Sequence, residues 1–553
     1  MLLSELIEGA DAGGADVRGA DGAALSARAG GLRICDINED SRTVVPGSLF
    51  IARSGTKVDG KQFAADAVQA GAVAVLTDDA SLQLSNSGVP VLVAKDVQLA
   101  TAVMAERFYG NPSGRMQLVG VTGTNGKTTI TTLVWQLLND ARTRCGLIGT
   151  VMIDDGTEVA PASMTTPPAI EVSRSLARMH EAGCVAAALE VSSHALDQKR
   201  ADATRFRVGV FTNLTGDHQD YHKTMDNYAA AKARLFEMLA PDALAVVNDQ
   251  DPWSVRMLRD CRARVLRCSV GDPHAMTDCR ALVMDESIDG MSLSMSGPWG
   301  EITARVPLIG RYNAMNILQA VASAHELGVS PDQLEVGVQK LHAPPGRLER
   351  VTRPGDPFQV FVDYAHSDDS LKNVLLAVSQ VMPGRAHQGA RVDDAAGAPH
   401  AAEQRGRLLV VFGCGGDRDP TKRPRMGAAA SQGADVVIVT SDNPRRERPS
   451  EIVDQVLAGV AAQHRSRVSV QVDRARAIRA AIEQAKPGDV IVIAGKGHET
   501  EQILPDGAGG TVRTHFDDRE VARAALDELR PKAAPQRAMQ APEVVVRKWG
   551  RGG

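Results

Sequence analysis

The sequence predicts an α/β protein of three domains built on mainly parallel sheets, and three observations carry that expectation. Short β-branched runs recur along the chain. Most are separated by stretches long enough for a helix, the alternation that covers both faces of a parallel sheet. The 553 residues also exceed what one core holds, and at roughly 100 to 200 residues per domain three domains follow.

In chain order the strand candidates are "AVAVLT" (72–77), "MQLVGVT" (116–122), "CVAAALEV" (184–191), "RVGVFTNL" (207–214), "ALAVVND" (243–249), "RLLVVFG" (407–413), "DVVIVT" (435–440) and "DVIVIAG" (489–495). Nearly every run ends in a polar, glycine-containing or acidic cluster: "GTNGKTT", "SSH", "TGDHQD", "GCGGDRD", "SDNPR", "GKGHE". Ligands of open α/β sheets bind at the carboxyl ends of the strands, so these clusters are expected to converge on substrates. Pro and Gly punctuate the pattern near "YGNPSGRM" and "LHAPPGRLE", which divides the chain at 1–114, 115–344 and 345–529. Residues 387–406 lack apolar periodicity and read as a disordered insertion, and 530–553 as a disordered tail with "EVVV" as its one strand candidate.

Composition narrows the function classes. A net charge of -5 with 23% charged residues gives no single-signed field for nucleic acid or an anionic membrane. Seven scattered cysteines, none spaced C-x-x-C, suggest neither a disulfide framework nor zinc and fit a reducing cytoplasm. The N-terminus "MLLSELIEGAD" carries acids where an export signal is basic, and no apolar run reaches the roughly 18 residues of a membrane span.

"LVGVTGTNGKTTITTLVWQLL" (118–138) reads as strand, glycine loop and amphipathic helix. Such a loop and helix N-terminus can cradle phosphates, with Lys127 on their outer oxygens and the Thr128 hydroxyl on magnesium. The motif is irregular: G-x-x-x-x-G-K-[ST] requires glycine at 121, where this chain has Val121, flanked by Gly120 and Gly123. On sequence alone Lys232, within "NYAAAKARLFEML", reads as a solvated helix face, and His218 as an ordinary loop histidine. "SDNPRRERP" reads as a charged turn, although the run "ADVVIVT" delivers it to a sheet edge.

"GVTGTNGKTT", "EVSSHAL", "NLTGDHQDYH", "YAAAKARLF", "GRYNAMN", "GRLERV" and "DYAHS" resemble, in order and spacing, the Mur ligase family, over about Asp40 to Val521. The resemblance implies an N-terminal UDP-binding α/β domain, a central P-loop ATPase domain and a C-terminal Rossmann-like domain. It implies an ATP-dependent ligase that activates a carboxylate as an acyl phosphate for attack by an amine. "DNPR", "GCGGDRD" and "GKGHE" resemble the branch that adds meso-2,6-diaminopimelate to UDP-MurNAc-L-Ala-D-Glu in peptidoglycan synthesis. A lysine-adding relative and a folylpolyglutamate synthase-like ligase are the enzyme alternatives, and an ATP-sensing regulatory protein the non-enzyme one.

By resemblance, Lys127, Lys232, His218 and Glu190 are catalytic. Thr128 and Glu190 hold one magnesium, and His218 helps hold a second with Lys232 as its carbamate. Phosphoryl transfer between two anions needs this positive charge at the γ-phosphate, and a lysine that loses its proton to burial or to neighbouring cations can capture carbon dioxide. Gly123, Thr124, Asn125, Gly126, Lys127, Thr128, Thr129, Asn316, Arg347 and Asp363 match the ATP site. Ser41, Thr56, Lys57, Val58, Thr165, Thr166, Ser192, Gln198 and Arg200 match the UDP-substrate site. Arg418, Asp442, Asn443, Pro444, Arg445, Gly495 and Glu499 match the amino-acid site, where arginine suits a carboxylate bidentately. A cytoplasmic monomer, without nucleic acid or membrane insertion, completes the expectation.

Overall fold

The computed structural model describes residues 1–19, 22, 26–55, 58–84, 87–383 and 405–530. Thr56, Lys57, nearly all of the 387–406 insertion and the tail beyond Arg530 lie outside the described residues.

Three larger sheets succeed one another along the chain. The first has the order Val17–Gly19, Val91–Ala94, Ala74–Thr77, Ser48–Ala52, Asp36–Asn38, parallel except for its first strand. The second has eleven strands. Its parallel centre runs Cys279–Ser287, Arg264–Val270, Leu244–Asn248, Val208–Phe211, Gln117–Thr122, Ala186–Glu190, Cys145–Ile148. An antiparallel meander through Gly290–Gly297 and Gly300–Val306 closes one edge, and Met152–Asp154 with Val159–Pro161 the other. The third runs Glu349–Arg350, Gln359–Asp363, Val490–Ala494, Leu408–Phe412, Val436–Val439, Val468–Val470, parallel except for its first strand.

Burial on both faces explains why the central strands read as unbroken apolar runs. In Gln117–Thr122, Val119 and Val121 join the core that contains Ile130, Leu133 and Val134 of helix Lys127–Asp140, while Leu118 joins the core of the opposite face with Leu235 and Phe236. Gly120 lies on that second face, where a β-carbon would come within 2.7 Å of the Phe206 ring. The glycine outside the usual phosphate-loop spacing therefore serves strand–helix packing. Leu409 and Val411 face one core of the third sheet, and Val410 and Phe412 the other.

The edge meander 279–306 and the strands Arg264–Val270 and Gln359–Asp363 add to the runs that the sequence singles out. In the meander "MSLSMSG" alternates, but with methionine in the place of β-branched residues and serine between. Its pairing partners, not its propensity, make it a strand.

Candidate active site

Strand Gln117–Thr122 delivers the glycine loop to the carboxyl edge of the central sheet, and Gly126 opens helix Lys127–Asp140 at φ +87°. A β-carbon at Gly126 would sit 2.7 Å from Asn316 Oδ1. Gly126→Ala is expected to lower stability by about 1–3 kcal/mol through left-handed strain and crowding; a denaturant midpoint equal to wild type would show that the loop relaxes freely. The loop is tied to the next strand end: Asn213 O accepts from Thr124 N at 2.8 Å, and Asn213 Oδ1 from Asn125 N at 3.0 Å.

Lys127 is the first residue of the helix and folds back on the loop, donating to Gly123 O and Thr124 O, each at 2.9 Å. Lys232 Nζ donates to the same Gly123 O at 2.7 Å and stands 4.5 Å from the Tyr228 ring centroid. Its side chain is only 1% exposed, so the solvated-face reading of its helix is incorrect: Lys232 lies on the inward face of Met225–Glu237. Burial, reinforced by the Lys127 ammonium, pushes its pKa well below the ordinary lysine value.

Glu190, fully buried at the end of Ala186–Glu190, accepts from the hydroxyls of Thr128 (3.0 Å) and Thr150 (2.9 Å) and from Thr150 N (2.6 Å). Arg347, from the segment leading to the third sheet, donates to Thr128 Oγ1 at 3.1 Å and stacks on the Tyr364 ring. This hydroxyl and carboxylate pair is the hard oxygen chemistry that suits magnesium. Among the described residues no three His, Cys, Asp or Glu side chains gather around one metal position. His218 stands apart from the Thr128–Glu190 pair, packed edge-on to His194 and against Asp217. Burial pushes its ring down to about 4 despite the Asp217 charge, which leaves a neutral imidazole at neutral pH.

A cavity of about 310 Å³ lies between Asn125, Gly126 and Asn316 of the central region and Asp363, Tyr364 and His366 of the third, with Thr129 and Arg347 also on its wall. Asp363 accepts from Leu348 N at 2.6 Å and Ala365 N at 2.8 Å, so it also fastens the connecting segment. Burial raises its pKa.

Thr165 lies 3.1 Å from Thr150 Oγ1, Thr166 donates to Glu190 O at 2.7 Å, and Ser192 N donates to Thr166 Oγ1. Arg200 bonds Thr166 O and the Gln198 side chain. These five residues are therefore one network beside Glu190. Burial and then Arg53 lower the Arg200 pKa, with Glu39 acting the other way; Arg53 and Glu39, which pair with each other at 2.8 Å, follow strands Ser48–Ala52 and Asp36–Asn38 of the first sheet. Ser41 starts the short turn Ser41–Thr43, and Val58 is exposed beside the Ser54–Asp59 bridge; among the described residues no hydrogen bond joins either to the central region.

At the carboxyl edge of the third sheet, Asn443 Nδ2 donates to Glu499 Oε2 at 2.8 Å, and Gly495 N donates to Asp363 O at 3.1 Å. Asp442 and Pro444 are buried. Arg445, at φ +53°, donates to Gly416 O at 2.6 Å. Burial and the nearby Arg418 lower its pKa, and Arg418 itself is exposed without a hydrogen bond or ion pair among the described residues.

Three residues that the motif reading left out also belong here: Thr150, which holds both Glu190 oxygens; Asp217, beside His218; and Lys496, inside "GKGHE". Lys496 lay within a quoted motif and Asp217 adjoins His218, whereas Thr150 follows a strand with no chemical signature of its own.

Three family descriptions match the chain: "Mur ligase family, catalytic domain" over residues 33–109, "Mur ligase middle domain" over 121–324 and "Mur ligase, glutamate ligase domain" over 386–497. A protein of Gloeobacter violaceus named UDP-N-acetylmuramoyl-L-alanyl-D-glutamate--2,6-diaminopimelate ligase is 41% identical over 91% of this chain and 95% of its own length. Its namesake in Synechococcus elongatus is 42% identical over 90% and 95%. A solved structure of a ligase of that name superposes with a TM-score of 0.64 at 30% identity, over 96% of this chain and 99% of the other. With the glycine loop and the Thr128–Glu190 pair in the central region, the polar edge of the third sheet, and relatives about 40% identical over nine-tenths of its length, the chain belongs to the Mur ligase family.

Proposed function

We propose that the chain is the ATP-dependent, ADP-forming ligase that adds meso-2,6-diaminopimelate to UDP-MurNAc-L-Ala-D-Glu in bacterial peptidoglycan synthesis. The observation that carries this reading is the third-sheet edge, where the cationic pair Arg418 and Arg445 stands beside the anionic pair Asp442 and Glu499. A side chain ending in both a carboxylate and an ammonium satisfies both halves, and lysine satisfies one.

Region 1–114 takes the uridine nucleotide through Ser41, Thr56, Lys57 and Val58. Region 115–344 takes ATP at the glycine loop and the sugar-peptide at Thr165, Thr166, Ser192, Gln198 and Arg200. Region 345–529 takes the amino acid. The D-glutamate carboxylate attacks the γ-phosphorus, the bond to ADP breaks, and the amine then displaces phosphate from the acyl phosphate. Lys127 and Arg347 place positive charge where the transferring group becomes most anionic. Asn316 and Asp363 line the nucleotide cavity. Magnesium, held by Thr128 and Glu190 with a second ion at His218 and carbamylated Lys232, supplies further charge neutralisation when bound. A soluble nucleotide-linked substrate suits a cytoplasmic enzyme. No described helix is long and apolar enough to cross a membrane.

Steady-state phosphate release tests the reading: it is expected only with ATP, the UDP-dipeptide and diaminopimelate together. Nucleotide binding without turnover would instead favour a sensing protein. Arg445→Ala is expected to raise the KM for diaminopimelate about thirtyfold, the lower end for losing a charge partner, about 2 kcal/mol. The KM values for ATP and the UDP-dipeptide should stay within a few-fold, and discrimination against lysine should shrink. An unchanged ratio of the two specificity constants would return this loop to a charged turn.

A further inference from the structure

Lys496 follows the last buried strand of the third sheet, Val490–Ala494, and its side chain is fully buried. An ammonium there must place all three protons, and the structure accounts for each. They go to Glu499 Oε2 at 3.0 Å, Asn443 Oδ1 at 3.3 Å and Glu501 O at 2.5 Å. Asn443 is thereby fixed on both sides. Its Oδ1 also accepts from Ile503 N at 3.0 Å, while its Nδ2 donates to Glu499 Oε2. Glu499 Oε2 is saturated, and Glu499 Oε1 accepts no hydrogen bond among the described residues.

Asp442 is the complement of this arrangement. Its inner oxygen, Oδ1, is buried without a hydrogen bond and meets Lys496 Nζ only at 4.0 Å. Its outer oxygen, Oδ2, also accepts none among the described residues. A cation thus stands behind a buried carboxylate whose hydrogen-bonding capacity is left unused. Lys496 offsets one of the two carboxylates and leaves the charge of the other for a substrate ammonium, while Arg445 and Arg418 form the cationic side of the same edge.

We propose that Lys496 is a positioning residue that sets selectivity for the distal ammonium of the amino-acid substrate, by holding Asn443 and Glu499 in place and balancing Asp442 so that both carboxylates are presented to that group. The proposal rests on the function proposed above. Lys496 itself does not touch the substrate; it acts through the three side chains around it.

The test is competition between diaminopimelate and 2-aminopimelate, which lacks the distal ammonium and keeps the distal carboxylate. In Lys496→Met, the KM for diaminopimelate is expected to rise at least thirtyfold, with the KM values for ATP and the UDP-dipeptide within threefold. The ratio of specificity constants between the two amino acids is expected to fall at least tenfold. General loosening of the domain would weaken both amino acids alike and leave that ratio unchanged, which would overturn the proposal. Since Lys496→Met removes both the charge and the donors that hold Asn443 and Glu499, Lys496→Gln, which loses the charge but keeps a donor, is measured beside it, and a fall in ratio is expected there as well. If neither variant unfolds cooperatively, Lys496 is a folding residue and the proposal is overturned. Wild type is the control for the functional reading: no diaminopimelate-dependent phosphate release in wild type sinks that reading, whereas a wild-type preference that the variants retain sinks only the role of Lys496.

Discussion

Lys127→Ala is expected to reduce ligation by about 10²- to 10³-fold in kcat, the cost of removing one preorganised donor from a developing anion. Its ammonium sits at the first position of helix Lys127–Asp140, beside the Lys232 amine on the shared Gly123 carbonyl. Little of the fold depends on it. Gly123 O keeps the Lys232 bond, and the helix is anchored by Ile130, Leu133 and Val134 in the core. A loss of about 1 kcal/mol is expected from the hydrogen bonds, which lowers Tm by roughly 2–4 °C for a region of this size. Single-turnover phosphate release, with thermal unfolding of the same preparation, is the measurement. Turnover within a few-fold of wild type would remove the loop from the phosphoryl-transfer step.

Lys232→Ala is expected to lose about 10²-fold in activity and to regain part of it with acetate, a small carboxylate that can occupy the place of the carbamate. Truncating so deeply buried a side chain also leaves a cavity, and on the order of 2–3 kcal/mol of stability goes with it. Lys232→Met separates the two effects. It refills the volume, should fold nearly as well as wild type, and should be inactive with or without acetate, as should Lys232→Arg.

Linkage gives an independent reading of the same residue. The folded pKa is depressed by burial and by Lys127, so below about pH 10.5 the unfolded chain takes up a proton that the folded chain refuses. Stability therefore falls as pH drops from there toward the depressed folded value. Lys232→Met should flatten that slope. Full activity of both Lys232→Ala and Lys232→Met would leave the carbamate without a role.

The residues of the glycine loop were legible because the loop writes its geometry locally. A buried strand, a positive-φ glycine and a lysine at the first helical position are all set within ten residues, "GVTGTNGKTT". The same holds for "DNPR" and "GKGHE", each at the end of an apolar run that had to become a buried strand. Sequence thus determined the parallel α/β character, the strand ends at which polar side chains gather, and the identity of most side chains there.

Burial and charge balance were decided by tertiary structure. Lys232 lies on a helix whose composition suits solvent, and only the Gly123 carbonyl, 109 residues away along the chain, and the Tyr228 ring make it an interior amine. Thr150 gained its role from Glu190, forty residues on. Lys496 became the charge behind Asp442 because the parallel strands Val436–Val439 and Val490–Ala494, on either side of Leu408–Phe412, end at the same edge and bring residues 442 and 496 together. The physical reason is common to all three: a side chain's type and local backbone are fixed by nearby residues, but its dielectric surroundings and partners are fixed by whichever distant segments the fold packs against it.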